Sequence, residues 1–116
     1  MINLRVSESI AFDYLSILCV KAKVNCDYKN YTNYHDCLNN IGHEIGFEKL
    51  TEILCSEEYK KLRAVNSECF DCVAKAKTDE VPASAVDKLN YQRFLCKKAL
   101  QEKFFDDELT EQKIGY

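Results

Sequence analysis

The apolar residues of this chain recur at three- and four-residue steps along every long segment, and no stretch alternates apolar and polar residues between hairpin turns. A period near 3.6 is what a helix needs to bury one face, whereas a half-buried strand needs a period of two. Three glycines and one proline in 116 residues leave little of the turn chemistry that a sandwich of short strands requires. Residues 2 to 6 have the makings of a short strand, but a lone strand has nothing to pair with. The expected fold is therefore all-α. It is a single-domain bundle of four or five helices, mostly antiparallel neighbours, spanning residues 1–105 and followed by an acidic C-terminal tail over 106–116. The 47% hydrophobic content is enough for a core and argues against disorder.

The first segment runs from Ser7 to Val24, with Ser7 or Ser9 as its cap. Ile10, Tyr14, Leu18 and Ala22 fall on one side, and Leu15 and Cys19 widen the apolar face. Only Asp13 and Ser16 interrupt the middle of this segment, which predicts a helix buried on most sides. Asn25 to Tyr34 is rich in Asn and Tyr and reads as a loop, because Asn and Asp hydrogen-bond their own backbone. A second helix is expected from Thr32 or Asn33 to Ile45, with Gly46 as a left-handed cap and a bend before Phe47, Leu50, Ile53 and Leu54 continue the pattern. Ser56 caps the next helix, Glu57 and Glu58 suit its positive end, and Lys75 and Lys77 suit its negative end. Pro82 marks the clearest break. Ser84 and Asp87 have the spacing of a capping box for a last helix that reaches Phe104.

The formal charge of −3 lacks the basic excess expected of a domain built to grip duplex nucleic acid or an anionic membrane. The apolar run from Ile10 to Val20 is too short to span a bilayer, and neither a basic leader nor a small-residue cleavage site frames it. The chain reads as soluble and cytoplasmic, with no membrane or nucleic-acid partner. Seven cysteines, an odd number, then favour free thiols over a disulfide framework. Cys19, Cys55 and Cys96 sit among apolar residues at helical spacing, where a thiol acts as a small hydrophobe.

Several patterns carry possible chemistry. Cys69-Phe70-Asp71-Cys72 places two thiols three apart on a helix, a spacing that suits zinc or a redox disulfide. Zinc would need two further ligands from Cys26, His35, Cys37 and His43, but the two histidines are eight apart, not four. The CxxC on a helix resembles the alkylhydroperoxidase-like fold, which would imply thiol redox chemistry at Cys69 and Cys72. That family places a His four residues past the second Cys, where this chain has Ala76. Glu44 and Glu48 recur at a four-residue step, continued by Glu52, and Glu68 with Asp71 forms ExxD on the following helix. This resembles the all-α nucleotide pyrophosphohydrolases related to MazG, which carry EExxE on one helix and ExxD on a later one. The resemblance implies that Glu44, Glu48, Glu68 and Asp71 hold a magnesium ion that orients a phosphoryl group. The departure falls at Glu57-Glu58, where Lys61 stands in place of the third acid.

Asp87, Asn90, Arg93 and Lys97 form a polar stripe down the last helix, suited to an anionic ligand or simply to a solvated face. No nucleophile elbow, glycine-rich phosphate loop or dinucleotide fingerprint occurs. Finally, Cys55, Tyr59, Leu62, Asn66, Cys69, Val73 and Ala76 follow a 4, 3, 4, 3, 4, 3 spacing. Such a seam joins two copies in a coiled coil, with Asn66 fixing register, or it packs inside one bundle with Asn66 bonded to its own neighbours. The apolar first helix needs more cover than so short a chain offers, which tips the expectation toward a seam between copies through Tyr59, Leu62, Asn66, Cys69 and Val73. The functional expectation is a small non-enzymatic protein–protein interaction or oligomerisation module, working as a homodimer or with another protein and without a cofactor. The phosphohydrolase and the CxxC module stand as alternatives.

Overall fold

A computed structural model describes residues 1–2 and 4–106. Five helices and no strand make up the described residues: α1 (Glu8–Val24), α2 (Tyr28–Ile45), α3 (Phe47–Leu54), α4 (Glu57–Lys77) and α5 (Ala83–Phe105). The all-α bundle expected from the periodicity is what forms. The acidic tail beyond Asp106, with Ile114 and Tyr116, lies outside the described residues.

Helix α1 packs against α2, α4 and α5, and α4 forms the most extensive pairing with α5. The core cluster joins Phe12 and Leu15 of α1 to Ile41, Leu50, Ile53, Tyr59, Leu62 and Leu100. Phe12 meets Tyr59 edge to face, with ring centroids 6.1 Å apart. Helices α2, α4 and α5 cover α1 within one copy, and α2 begins at Tyr28, four or five residues before the expected Thr32 or Asn33. Asp27 is its cap, accepting from the Asn30 N–H at 2.8 Å, so the connection shrinks to Asn25–Asp27. Cap chemistry and loop chemistry use the same residue types, and the Asn/Tyr-rich composition hid a helix start.

Two other expected caps are corrected. No side-chain oxygen caps α1 locally. Instead the Ser9 N–H donates to Oε1 of Gln101, 92 positions away, at 2.9 Å. Gln101 is fully buried in the last turns of α5, so a tertiary contact does what Ser7 and Ser9 were expected to do. Helix α5 starts directly after Pro82, whose carbonyl accepts from the Ala85 N–H, and makes no side-chain cap; the Ser84–Asp87 box is not used. Where proline already fixes φ, the helix opens before Ser84 can serve as a cap.

The remaining boundaries follow local chemistry. Ser56 Oγ accepts from the Tyr59 N–H at 3.2 Å and opens α4. Gly46 takes φ +92°, a positive value that lets the chain bend between α2 and α3. Phe47 then folds back so closely that a Cβ at Gly42 would lie 2.3 Å from its ring. Gly42 therefore admits the ring that closes the bend. Lys103 Nζ, in the last turn of α5, donates to both carboxylate oxygens of Glu58, in the first turn of α4, at 2.8 and 3.1 Å.

Candidate functional site

Three polar residues of α1, Ser9, Asp13 and Ser16, follow a 4, 3 spacing and are all buried. Burial of a charge is tolerated only with close partners, and the carboxylate of Asp13, a residue 5% exposed, has two. Arg93 of α5 donates from Nε to Oδ1 at 2.9 Å and from Nη2 to Oδ2, a two-pronged ion pair. Asn66 of α4 donates from Nδ2 to the same Oδ1 at 2.9 Å. Its second proton goes to Ser16 Oγ at 2.6 Å, and Ser16 in turn donates to the Asp13 carbonyl at 2.8 Å. The network fastens α1 to both arms of the α4–α5 hairpin through charge-assisted bonds.

Above this network lies an open groove of about 520 Å³ between α1, α4 and α5. Ile17 and Val20 of α1 and Phe70, Val73 and Ala74 of α4 form its apolar walls. Asn66 and Arg93 supply the floor, Asn90 one side, and Lys77 and Thr78 the end. Phe70 is 40% exposed and Val73 38%, so part of the apolar wall faces solvent. Among the described residues, no Asp or Glu lines the groove. A larger depression of about 870 Å³ beside the N-terminal stretch mixes Arg5 and Lys49 with Glu8 and Glu44. Its lining includes Leu4 and Phe105, close in sequence to residues outside the description.

The residues singled out from sequence are distributed as follows. Of the seam, Tyr59, Leu62, Asn66 and Cys69 are buried within one copy, and Cys55 and Val73 open to solvent. The four buried residues pack inside the bundle, and Asn66 donates to Asp13 and Ser16 of α1, the second of the two arrangements that the spacing allowed. A heptad spacing fixes which face is apolar but not whether its partner lies in the same chain. The α5 stripe also divides. Arg93 turns inward to Asp13, while Asp87 and Asn90 stay exposed and Lys97 is half-buried, so the stripe does not present a single cationic face.

Glu44, Glu48, Glu68 and Asp71 are all exposed, on three different helices. Among the described residues, no three His, Cys, Asp or Glu side chains gather closely enough to hold a metal ion, which also separates the CxxC from Cys26, His35, Cys37 and His43. All seven cysteines are free thiols. Cys69 is buried, and burial pushes its thiol pKa up, against a smaller opposing pull from Arg93. A CxxC nucleophile needs the opposite shift. Cys55, expected in an apolar setting, is exposed because it ends α3 at the turn into α4.

Sequence reasoning took Asp13 and Ser16 for interruptions and missed Gln101 altogether. The available signal was the polar spacing itself: Ser9, Asp13 and Ser16 lie on one stripe of a helix whose other charged residues, Glu8, Lys21 and Lys23, stand in its first and last turns. No helix among the described residues is long and apolar enough to cross a membrane. No known protein family, curated protein or solved structure matches this chain.

Proposed function

We propose that this chain is a non-enzymatic interaction module of the cytoplasm, which binds another protein, or a second copy of itself, through the groove between α1, α4 and α5. The observation that supports this reading is the partly exposed apolar wall of Phe70 and Val73 above a hydrogen-bonded polar floor. Contiguous apolar surface that a bundle leaves open marks a contact site more often than chance. The network beneath it holds the groove's three walls in fixed relation, and preorganisation of this kind lowers the ordering cost of association. Seven free thiols suit a reducing compartment.

The test is site-specific photo-crosslinking in cells that make the protein, with a benzophenone side chain at position 73 and, as a control, at exposed position 29. The reading predicts a discrete adduct from position 73 alone. A doubled mass identifies a second copy, and any other single mass identifies a different protein. Absence of an adduct, or the same adducts from both positions, would overturn it.

A further inference from the structure

Resting on that reading, we infer that the groove's occupant is a short amphipathic helix of a partner protein, with acidic residues flanking its apolar stripe.

Length and shape come first. The groove runs along α4 from Asn66 to Lys77 and on to its cap Thr78. Twelve helical steps at 1.5 Å span roughly 18 Å, which accommodates about three turns of a docked helix. A trough lined by the faces of three helices takes a helix that inserts residues at i, i+3, i+4 and i+7. An extended strand would need unpaired backbone groups to bond to, and the walls are made of helices whose backbone bonds are already closed.

Charge complementarity gives the sign. The chain carries a formal charge of −3, with 19 acidic residues, yet no acid lines the groove among the described residues. Lys77 stands at its end. Arg93 lies at the floor, where it holds the Asp13 carboxylate, so the one nearby buried acid is paired. Asn90 supplies an amide on the α5 side. A partner helix bearing Glu or Asp beside its apolar stripe meets Lys77 at the end and the Asn90 amide on the α5 side. A basic helix meets Lys77 with like charge, which disfavours the wrong partner.

A second copy of this chain is the competing occupant, and the same experiment separates the two. The protein is titrated into two fluorescently labelled 14-residue peptides with the same leucine stripe, one flanked by glutamate and one by lysine, at low salt and again at high salt. We expect the acidic peptide to bind about 10-fold or more tightly than its basic twin at low salt, with the difference shrinking as salt screens the charges. Val73→Asp, which charges a half-exposed wall position, should abolish binding of the acidic peptide. Lys77→Glu should reverse the preference between the peptides, and Lys29→Glu on α2 should change neither. Circular dichroism confirms that each variant is folded, and Lys77→Glu keeps the test valid if Val73→Asp is not. Equal affinity for both peptides, binding to neither, or acidic-peptide binding that Lys77→Glu leaves unchanged would overturn the inference. So would a doubled mass in light scattering that Val73→Asp returns to the monomer, because it would assign the groove to a second copy. If position 73 still yields a mixed photo-adduct while the peptides fail to discriminate, the acidic helix is wrong and the interaction reading survives.

Discussion

Replacing Asn66 with leucine separates the two roles open to this residue. A register-fixing asparagine between two copies costs stability, so its loss would leave the fold as stable or more so. An asparagine inside the bundle is different. Asn66 Nδ2 donates to the Asp13 carboxylate at 2.9 Å and to Ser16 Oγ at 2.6 Å, and the side chain is 4% exposed. Leucine fills similar space but donates to neither oxygen. A bond to a buried charge contributes about 1.5–3 kcal/mol and a neutral one about 0.5–1.5, partly offset by leucine's greater apolarity. The net loss is about 2.5 kcal/mol. An unfolding entropy of about 2.1 cal/mol/K per residue gives roughly 0.24 kcal/mol/K for 116 residues, so Tm should fall by about 10 °C. Heat and urea unfolding followed by circular dichroism measure both quantities. Ser16→Ala should cost less in the Asn66→Leu background than in the wild type, since the two share a bond. An unchanged or raised Tm would refute the internal network, and an accompanying change in mass would move Asn66 to an interface between copies.

The long-range cap of α1 makes a second prediction: Gln101→Leu leaves the buried Ser9 N–H without its acceptor and should destabilise by about 1–3 kcal/mol in chemical denaturation, whereas a cost near zero would show that α1 does not rely on it. For the thiols, exposed Cys26 and Cys55 should alkylate first in the native protein at pH 8, while Cys37, Cys69 and Cys96 lag, because burial raises each of their pKa values and leaves less thiolate. Their rates should climb as pH rises toward those raised values. In denaturant all seven should react without prior reduction, and mass spectrometry that finds only five labels would indicate a disulfide. A chelator should leave Tm unchanged, since no cluster of three metal-ligating side chains occurs among the described residues; a large fall together with stoichiometric zinc would contradict this.

How far the sequence carries depends on which interactions are local. The start of α4 at Ser56, the bend at Gly46 and the break at Pro82 were legible, because the chemistry that makes each lies within a few residues. The start of α2 was not: Asp27 can cap a helix or open a turn, and neighbouring Asn and Tyr residues favoured the turn. The cap of α1 was hidden for a different reason, since its acceptor lies 92 positions away. The same holds for the site. Asn66 stood out as the polar member of an apolar seam, and bonding to its own neighbours was weighed for it. Which neighbours those are could not be read from the spacing; they are Asp13 and Ser16 of α1. Arg93 stood out as part of a surface stripe, yet its guanidinium belongs to a carboxylate 80 positions away. Helical periodicity shows which residues share a face, and only packing shows which faces meet.

The most direct measurement of the central claim is an isotope-filtered nuclear Overhauser experiment on a mixture of labelled and unlabelled protein. Intramolecular contacts from the Asn66 side-chain amide to Ser16 and to neighbouring α1 protons are predicted, together with an Arg93 Nε–H protected from exchange by the Asp13 carboxylate. Filtered contacts from Asn66 of a labelled chain to an unlabelled one would contradict the account, because they would place the apolar face of α4 between two copies instead of around α1.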